Sequence, residues 1–307
     1  MDKKSRAAFL SIISNTVLVV MKLFVGILTQ SVSIISEAIH SGLDLAASFI
    51  AFFAVRVSGK PADKNHQFGH GKFENVSGTI EALLIFIAAI WIIYEGVHKL
   101  FKPVMIEELN LGLLVMAFSG GLNWVISNYL SKVAKEEDSI ALEADALHLR
   151  TDVYTSLGVF MGLVIIKFTG WVVLDPIFAI LVALLIIKES WVLTKKAFLP
   201  LLDTPLDEKE QQKVIEIIRT FSDNYIEFHK LRTRKAGSEY HIDLHLVVPK
   251  DWAIEKVHCL CNKIEEELET TFNCHCLIHT EPCNDRCEGV QDNCNSHDCP
   301  LLGISEK

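Results

Sequence analysis

Two histidine–aspartate pairs stand out in a chain otherwise crowded with aliphatic residues: His40 and Asp44 in "SEAIHSGLD", and His148 and Asp152 in "ADALHLRTD". Both stretches run small residue, acid, alanine, aliphatic, histidine, three residues, aspartate. On an α-helix, positions four apart share a face, so each pair projects together, with Glu37 and Asp145 extending the stripes by one turn. Two imidazole nitrogens and two carboxylate oxygens make a tetrahedral set suited to Zn²⁺, with Cd²⁺ as a second candidate. Mg²⁺ and Mn²⁺ favour oxygen alone. Ionisable groups inside an apolar span each cost about 2.5–3.5 kcal/mol or more and mark function by default. The alternatives to a metal are local ion pairs or an aqueous cavity.

The elements that must carry these pairs are long apolar runs. Half of the 307 residues are hydrophobic, and the mean hydropathy is +0.31. Runs near residues 7–29, 32–57, 77–101, 110–131, 143–167 and 171–190 each approach the ~20 residues that cross a ~30 Å hydrocarbon core. The expectation is an α-helical membrane protein with six transmembrane helices over residues 1–203. The other reading, a soluble helical bundle, needs polar faces at helical period, and "IEALLIFIAAIWIIYEG" offers almost none. Lysine and arginine cluster at the start, between the second and third spans (Arg56, Lys60, Lys64, Lys72), after the fourth and after the sixth. That asymmetry places both termini in the cytoplasm. The first run is too long for a cleaved leader and leads straight into another span. With this orientation the second and fifth helices run oppositely. At 1.5 Å per residue, His40 and Asp44 lie roughly 12–18 Å from one boundary, and His148 and Asp152 roughly 14–20 Å from the other. The four side chains therefore meet near mid-membrane.

From Leu206 the character changes, with 20 acids against 12 bases in the remainder of a chain of net charge −9. An acidic cytosolic domain argues against nucleic acid and favours cations. Residues 204–282 read as an α+β domain of order αββαβ, ferredoxin-like: an amphipathic helix over Leu206–Phe221, strands in "IEFHKLRTR" and "EYHIDLHLVV" around a "KAGS" turn, a helix over 253–272, and a strand in "CHCLIHTE". Strand alternation puts His241, Asp243 and His245 on one face of their strand, and His279 and Glu281 together on one face of the last strand. With His229 and His258 these could converge on zinc, or they could form a solvated polar face. All eight cysteines lie from Cys259 onward, and reduced, metal-binding thiols are expected there rather than disulfides. Residues 283–307 form a Cys-rich tail without periodicity. Its Cys283, Cys287, Cys294 and Cys299, with His297, match no zinc-finger register. A thiolate trap and a passive tail are both open.

Metal ligands must be deprotonated to bind, and histidine titrates near physiological pH. Protons and zinc therefore compete for one site, which is the chemistry of a secondary-active Zn²⁺/H⁺ antiporter exporting zinc. The alternative is a membrane metal-sensing or assembly protein that binds zinc in its cytosolic domain and transports little. A metallohydrolase is not expected: four ligands leave no open position for water. The chain is read as no enzyme.

The two His-x₃-Asp helices, the six spans and the α+β domain together resemble the cation diffusion facilitator family, of the zinc-transporting type. "PADKNHQFGHGKFE" is similar to that family's loop after the second span, "ADALHLRTDVYTSLGV" and "DPIFAI" to its fifth and sixth helices, and "LRTRKAG" and "HTEPC" to its soluble domain. The resemblance implies a homodimer in the cell's inner or plasma membrane, with lipid and protons as its other partners. It implies a transport site of His40, Asp44, His148 and Asp152, and a loop metal site of Asp63, His66 and His70. It also implies a cytosolic site of His229, His245, His258, His279 and Glu281, with glutamate where relatives often carry aspartate. Lys72 and Asp203 match a charge pair that locks the dimer. A histidine at position 40, where many bacterial relatives have aspartate, implies zinc selectivity.

Overall fold

The computed structural model describes residues 2–29, 32–101, 110–169 and 174–283; within these, the side chains of 29, 32–37, 40, 99, 110–116, 159–169 and 175 lie outside the described set. The Cys-rich tail beyond Cys283 lies outside it as well. The chain divides into two compact units, Met1–Leu202 and Asp203–Lys307.

The first unit contains six long helices: α1 (Lys3–Thr29), α2 (Val32–Ser58), α3 (Lys72–Phe101), α4 (Asn110–Glu136), α5 (Ile140–Thr169) and α6 (Leu174–Phe198). At 1.5 Å per residue each exceeds the ~30 Å of a hydrocarbon core. Among the described residues, four segments are long and apolar enough to cross a membrane: Lys3–Leu28, Ser41–Ser58, Lys72–His98 and Pro176–Leu202. In α5, Glu143, Asp145, Arg150 and Asp152 fall within three turns and dilute its apolar character. Burial is inverted relative to a soluble protein. Phe24, Leu28, Phe53, Trp91 and Tyr94 are exposed, while Ser11, Asn15, Ser48, Glu74, Glu81 and Asp145 are buried. That is the pattern of a bundle whose solvent is lipid.

Small residues bring the helices together. Ala82, Ala89, Ala144, Ala146, Ala183 and Ala197 are fully buried. A β-carbon on Gly96 of α3 would come within 2.8 Å of Ile180 on α6. Buried polar bonds add interhelical links: Asn15 of α1 donates to Ser48 of α2 at 2.8 Å. Glu74, in the first turn of α3, accepts from Ser58 Oγ of α2 at 2.9 Å, from Lys4 Nζ of α1 at 3.3 Å, and from the Ser139 hydroxyl. Ser139 in turn caps α5, its Oγ accepting from the Leu142 amide.

The second unit is built from α7 (Glu208–Arg219), β1 (Glu227–Ala236), β2 (Glu239–Val248), α8 (Ile254–Thr271) and β3 (Cys274–Pro282). Asp207 caps α7 by accepting the Glu210 amide at 2.8 Å. The sheet order is β1-β2-β3; β1 and β2 are antiparallel and β2 and β3 parallel, joined by the α8 crossover. The two-residue hairpin turn needs a left-handed first position, supplied by Gly237 at φ 62°. Ile242, Leu244 and Leu246 of β2 pack on Val214 and Ile218 of α7 and on Ile264 and Leu268 of α8. The opposite sheet face is left for polar side chains.

One feature of β1 departs from simple alternation. His229 pairs with His245 and Arg232 with Asp243, so one extra residue is accommodated between them. Lys230 takes up the bulge at φ 52°. The bulge puts His229 and Arg232 on one face, where unbroken period two would have paired His229 with Leu231.

Candidate metal centres

In the first unit, α2 and α5 bring Asp44, His148 and Asp152 together. Asp44 is 5% exposed, and its Oδ1 lies 2.9 Å from His148 Nε2. Donor atoms from the three residues all lie within 4.8 Å of one another. A tetrahedral zinc with bonds of 2.0–2.2 Å needs donors about 3.3–3.6 Å apart, so small rotamer changes close this set around an ion. The three residues sit together because Asp152 follows His148 by one helical turn, and α5 packs beside α2. The backbone of His40 lies one turn before Asp44 on α2, and its side chain lies outside the described residues.

The surroundings hold groups that spacing alone did not single out as ligands. Asn123 of α4 donates to Asp152 Oδ2 at 3.2 Å, so it orients a candidate ligand. Lys22 of α1 is buried and donates to Ser41 Oγ at 2.8 Å, beside the His40 position. Asp145 is 1% exposed and accepts from Ser48 at 3.1 Å. Glu81 of α3 is also 1% exposed. Neither carboxylate oxygen of Glu81, nor Oδ2 of Asp145, has a hydrogen-bond partner among the described residues. Glu81 lies within electrostatic reach of Asp145 and His148. A lone acid in the apolar run "TIEALLIF" was the available signal for it.

The loop after α2 gathers Asp63, His66 and His70, again within 4.8 Å. Asp63 Oδ1 accepts the backbone amides of Asn65 and His66 at 2.8 and 2.7 Å. These bonds, the His66 amide foremost, hold its carboxyl below the usual range. His70 Nε2 is 3.4 Å from Asp63 Oδ2, and His70 Nδ1 is buried without a hydrogen-bond partner among the described residues. The two imidazole centroids are 4.5 Å apart.

On the polar face of the sheet, His229, His245 and Glu281 converge within 4.8 Å. His245 Nδ1 is 2.7 Å from Glu281 Oε1, and His229 Nε2 is 3.3 Å from Glu281 Oε2. The bond to His245 holds the Glu281 carboxyl below its ordinary value. The glutamate thus spans two imidazoles. The His279 ring lies 4.7 Å from that of His245, with its Nε2 3.9 Å from Glu281. His258 stands apart from this group: it is exposed on α8, beside Asn262 at 3.4 Å.

The two residues of the expected Lys72–Asp203 pair belong to different units. Lys72 opens α3 in the first unit, whereas Asp203 opens the second and binds Arg234 Nη1 at 3.1 Å. The cysteines depart from expectation. Cys259, Cys261, Cys274 and Cys276 are free, but Cys283 is disulfide-bonded. Burial pushes the Cys274 thiol up to about 11 and the Cys276 thiol up to about 12. Without a bound cation, thiols so placed stay protonated and pack as small hydrophobes.

Residues 8–202 match the cation efflux transmembrane domain, and residues 206–283 match the cytoplasmic domain of cation efflux proteins. An uncharacterized transporter of Synechocystis sp. is 35% identical over 259 residues, covering 84% of this chain and 84% of its own length. Protein p34 of Rickettsia rickettsii is 30% identical over 292 residues, 92% of this chain and 95% of p34. The cation-efflux pump FieF of Citrobacter koseri is 28% identical over 281 residues, 91% of this chain and 93% of the pump.

Proposed function

The chain belongs to the cation efflux family, whose members are membrane transporters and not enzymes, and from that premise we propose that it exports zinc in exchange for protons. The observation that carries the reading is the convergence of Asp44, His148 and Asp152 inside the helical unit. With His40 as the fourth ligand, the donor set is two nitrogens and two oxygens, which favours zinc over manganese and magnesium and admits cadmium.

The geometry explains exchange. When the Asp44 carboxyl is ionised it only accepts, so in its 2.9 Å contact with His148 Nε2 the lone pair of the nitrogen carries the shared proton. That lone pair serves either the proton or the metal, never both. Loading zinc from one side therefore releases a proton, and protonation on the other side releases zinc. Two conformations whose populations depend on the occupant complete the cycle. Asn123 holds the Asp152 carboxylate through its side-chain amide.

Six spans, both termini cytoplasmic, a cell-membrane location and a homodimer joined through the cytoplasmic domain belong to the same proposal. So do the boundaries of the membrane domain at 1–203, the cytosolic domain at 204–282 and the tail at 283–307. The sheet cluster of His229, His245, His279 and Glu281 has the donor chemistry to hold a resident zinc; His258 and the Lys72–Asp203 pair remain assigned from family resemblance. The alternative, a metal sensor without transport, would need no converging ligands within the helices.

The test is zinc uptake into proteoliposomes with an imposed pH gradient, alongside Cd²⁺, Fe²⁺ and Mn²⁺. Zinc flux that follows the gradient and acidifies or alkalinises the lumen in step supports antiport. Flux indifferent to the gradient would refute it.

A further inference from the structure

Strands β2 and β3 share one spacing, His-x₃-His: His241 and His245 on the first, His275 and His279 on the second. Parallel pairing sets His241 against His275 and His245 against His279. A step of four residues keeps all four on one sheet face, with the two pairs about 13 Å apart along the strands. The 245/279 pair is the one completed by His229 and Glu281. The 241/275 pair has no part in that cluster.

Its ring spacing is nonetheless comparable. The His241 and His275 centroids are 5.5 Å apart with the rings stacked at 28°, and His229 and His245 within the cluster are 5.5 Å apart at 37°. The two imidazoles are unequally held. His241 is 8% exposed, whereas His275 is open to solvent. One ligand is therefore fixed by packing and the other faces an arriving ion. Arg234 is paired in register with His241, and its guanidinium is engaged by Asp203 at 3.1 Å. Asp243, between the two pairs on the same face, keeps a half-exposed carboxylate 3.5 Å from Arg232.

We propose that His241 and His275 form a second binding site on the cytosolic sheet for a borderline-soft divalent cation of the zinc class, separate from the His229–His245–Glu281 cluster. Two protein nitrogens leave the remaining coordination positions to water, so this site exchanges its ion readily where a closed four-ligand site would trap it. It serves as a staging point on the sheet face. The inference does not depend on whether the chain exports zinc.

The test uses the full-length protein in detergent, zinc chloride as the only added metal, and diethylpyrocarbonate modification read histidine by histidine from peptide masses. Zinc at about ten times its dissociation constant should slow modification of His275 about tenfold, by mass action. The protection should persist when His229→Ala and Glu281→Ala together dismantle the neighbouring cluster. In His241→Gln it should vanish at His275 while remaining at His279. A His275 rate unmoved by zinc, protection lost with the neighbouring cluster, or protection retained in His241→Gln would each overturn the proposal. If His241→Gln unfolds the domain, seen as lost protection at His279 too, the wild-type and double-variant arms still decide.

Discussion

The helical and sheet clusters use the same donor atoms in opposite settings. Asp44 and His148 are drawn from helix faces, the carboxylate 7% and the imidazole 18% exposed; Glu281, His229 and His245 stand on a sheet, 32%, 24% and 22% exposed. In the helices, every donor removed from water must find a partner or an ion, because an uncompensated buried charge is severely penalised. Hence the crowd of auxiliary groups: Asn123 on Asp152, Ser48 on Asp145, Lys22 on Ser41. The sheet cluster needs no such retinue, since water completes whatever the protein leaves open. The contrast implies that the helical site is exacting about its occupant and the sheet site tolerant.

The most damaging change should be Asp152→Ala or Asp44→Ala, which removes a charged ligand from the helical cluster. Zinc uptake into proteoliposomes should fall to background while dimerisation is unchanged; retained uptake would break the distinction. Next comes Asn123→Ala, which leaves all ligands in place but frees the Asp152 carboxylate. Loss of an orienting hydrogen bond of this kind lowers metal affinity about 10–100-fold, so the concentration for half-maximal uptake should rise accordingly. Glu281→Ala should act locally: isothermal titration should lose the cytosolic zinc while transport through the helices persists. Abolished transport would mean that the sheet cluster is as indispensable as the helical one. The smallest effect concerns the thiols. With its thiol pushed up to about 12, Cys276 is almost wholly protonated at pH 8, so iodoacetamide should label exposed Cys259 well before it. Equal labelling, read by mass spectrometry, would show that the apolar packing around β3 is looser than described.

How much of this was legible depended on periodicity. His148 and Asp152 could be paired on paper because a helix repeats faithfully, and the Gly237 turn because a two-residue hairpin demands a left-handed residue. The site's neighbours were harder to find. Glu81 comes from a third helix, and no spacing within "TIEALLIF" reveals that α3 turns this acid toward Asp145 and His148. His229 fell on the correct face only through the bulge at Lys230, an insertion invisible to strict alternation. His258 shows the reverse case: its type suggested a ligand, but α8 carries it away from the cluster. Asp203 was matched to Lys72 by likeness, and no spacing signalled its ion pair with Arg234 within the second unit.

Glu74 has a consequence for motion. One carboxylate, 1% exposed, takes hydrogen bonds from Lys4, Ser58 and Ser139, so the beginnings of α1, α3 and α5 and the end of α2 are knotted at a single point. Rearrangement of the helices must either pivot about that knot, leaving it whole, or untie three donors at once in a place without water. The first is the cheaper course. The bundle would then open like a fan held at its rivet, spreading at the far end while this end scarcely moves.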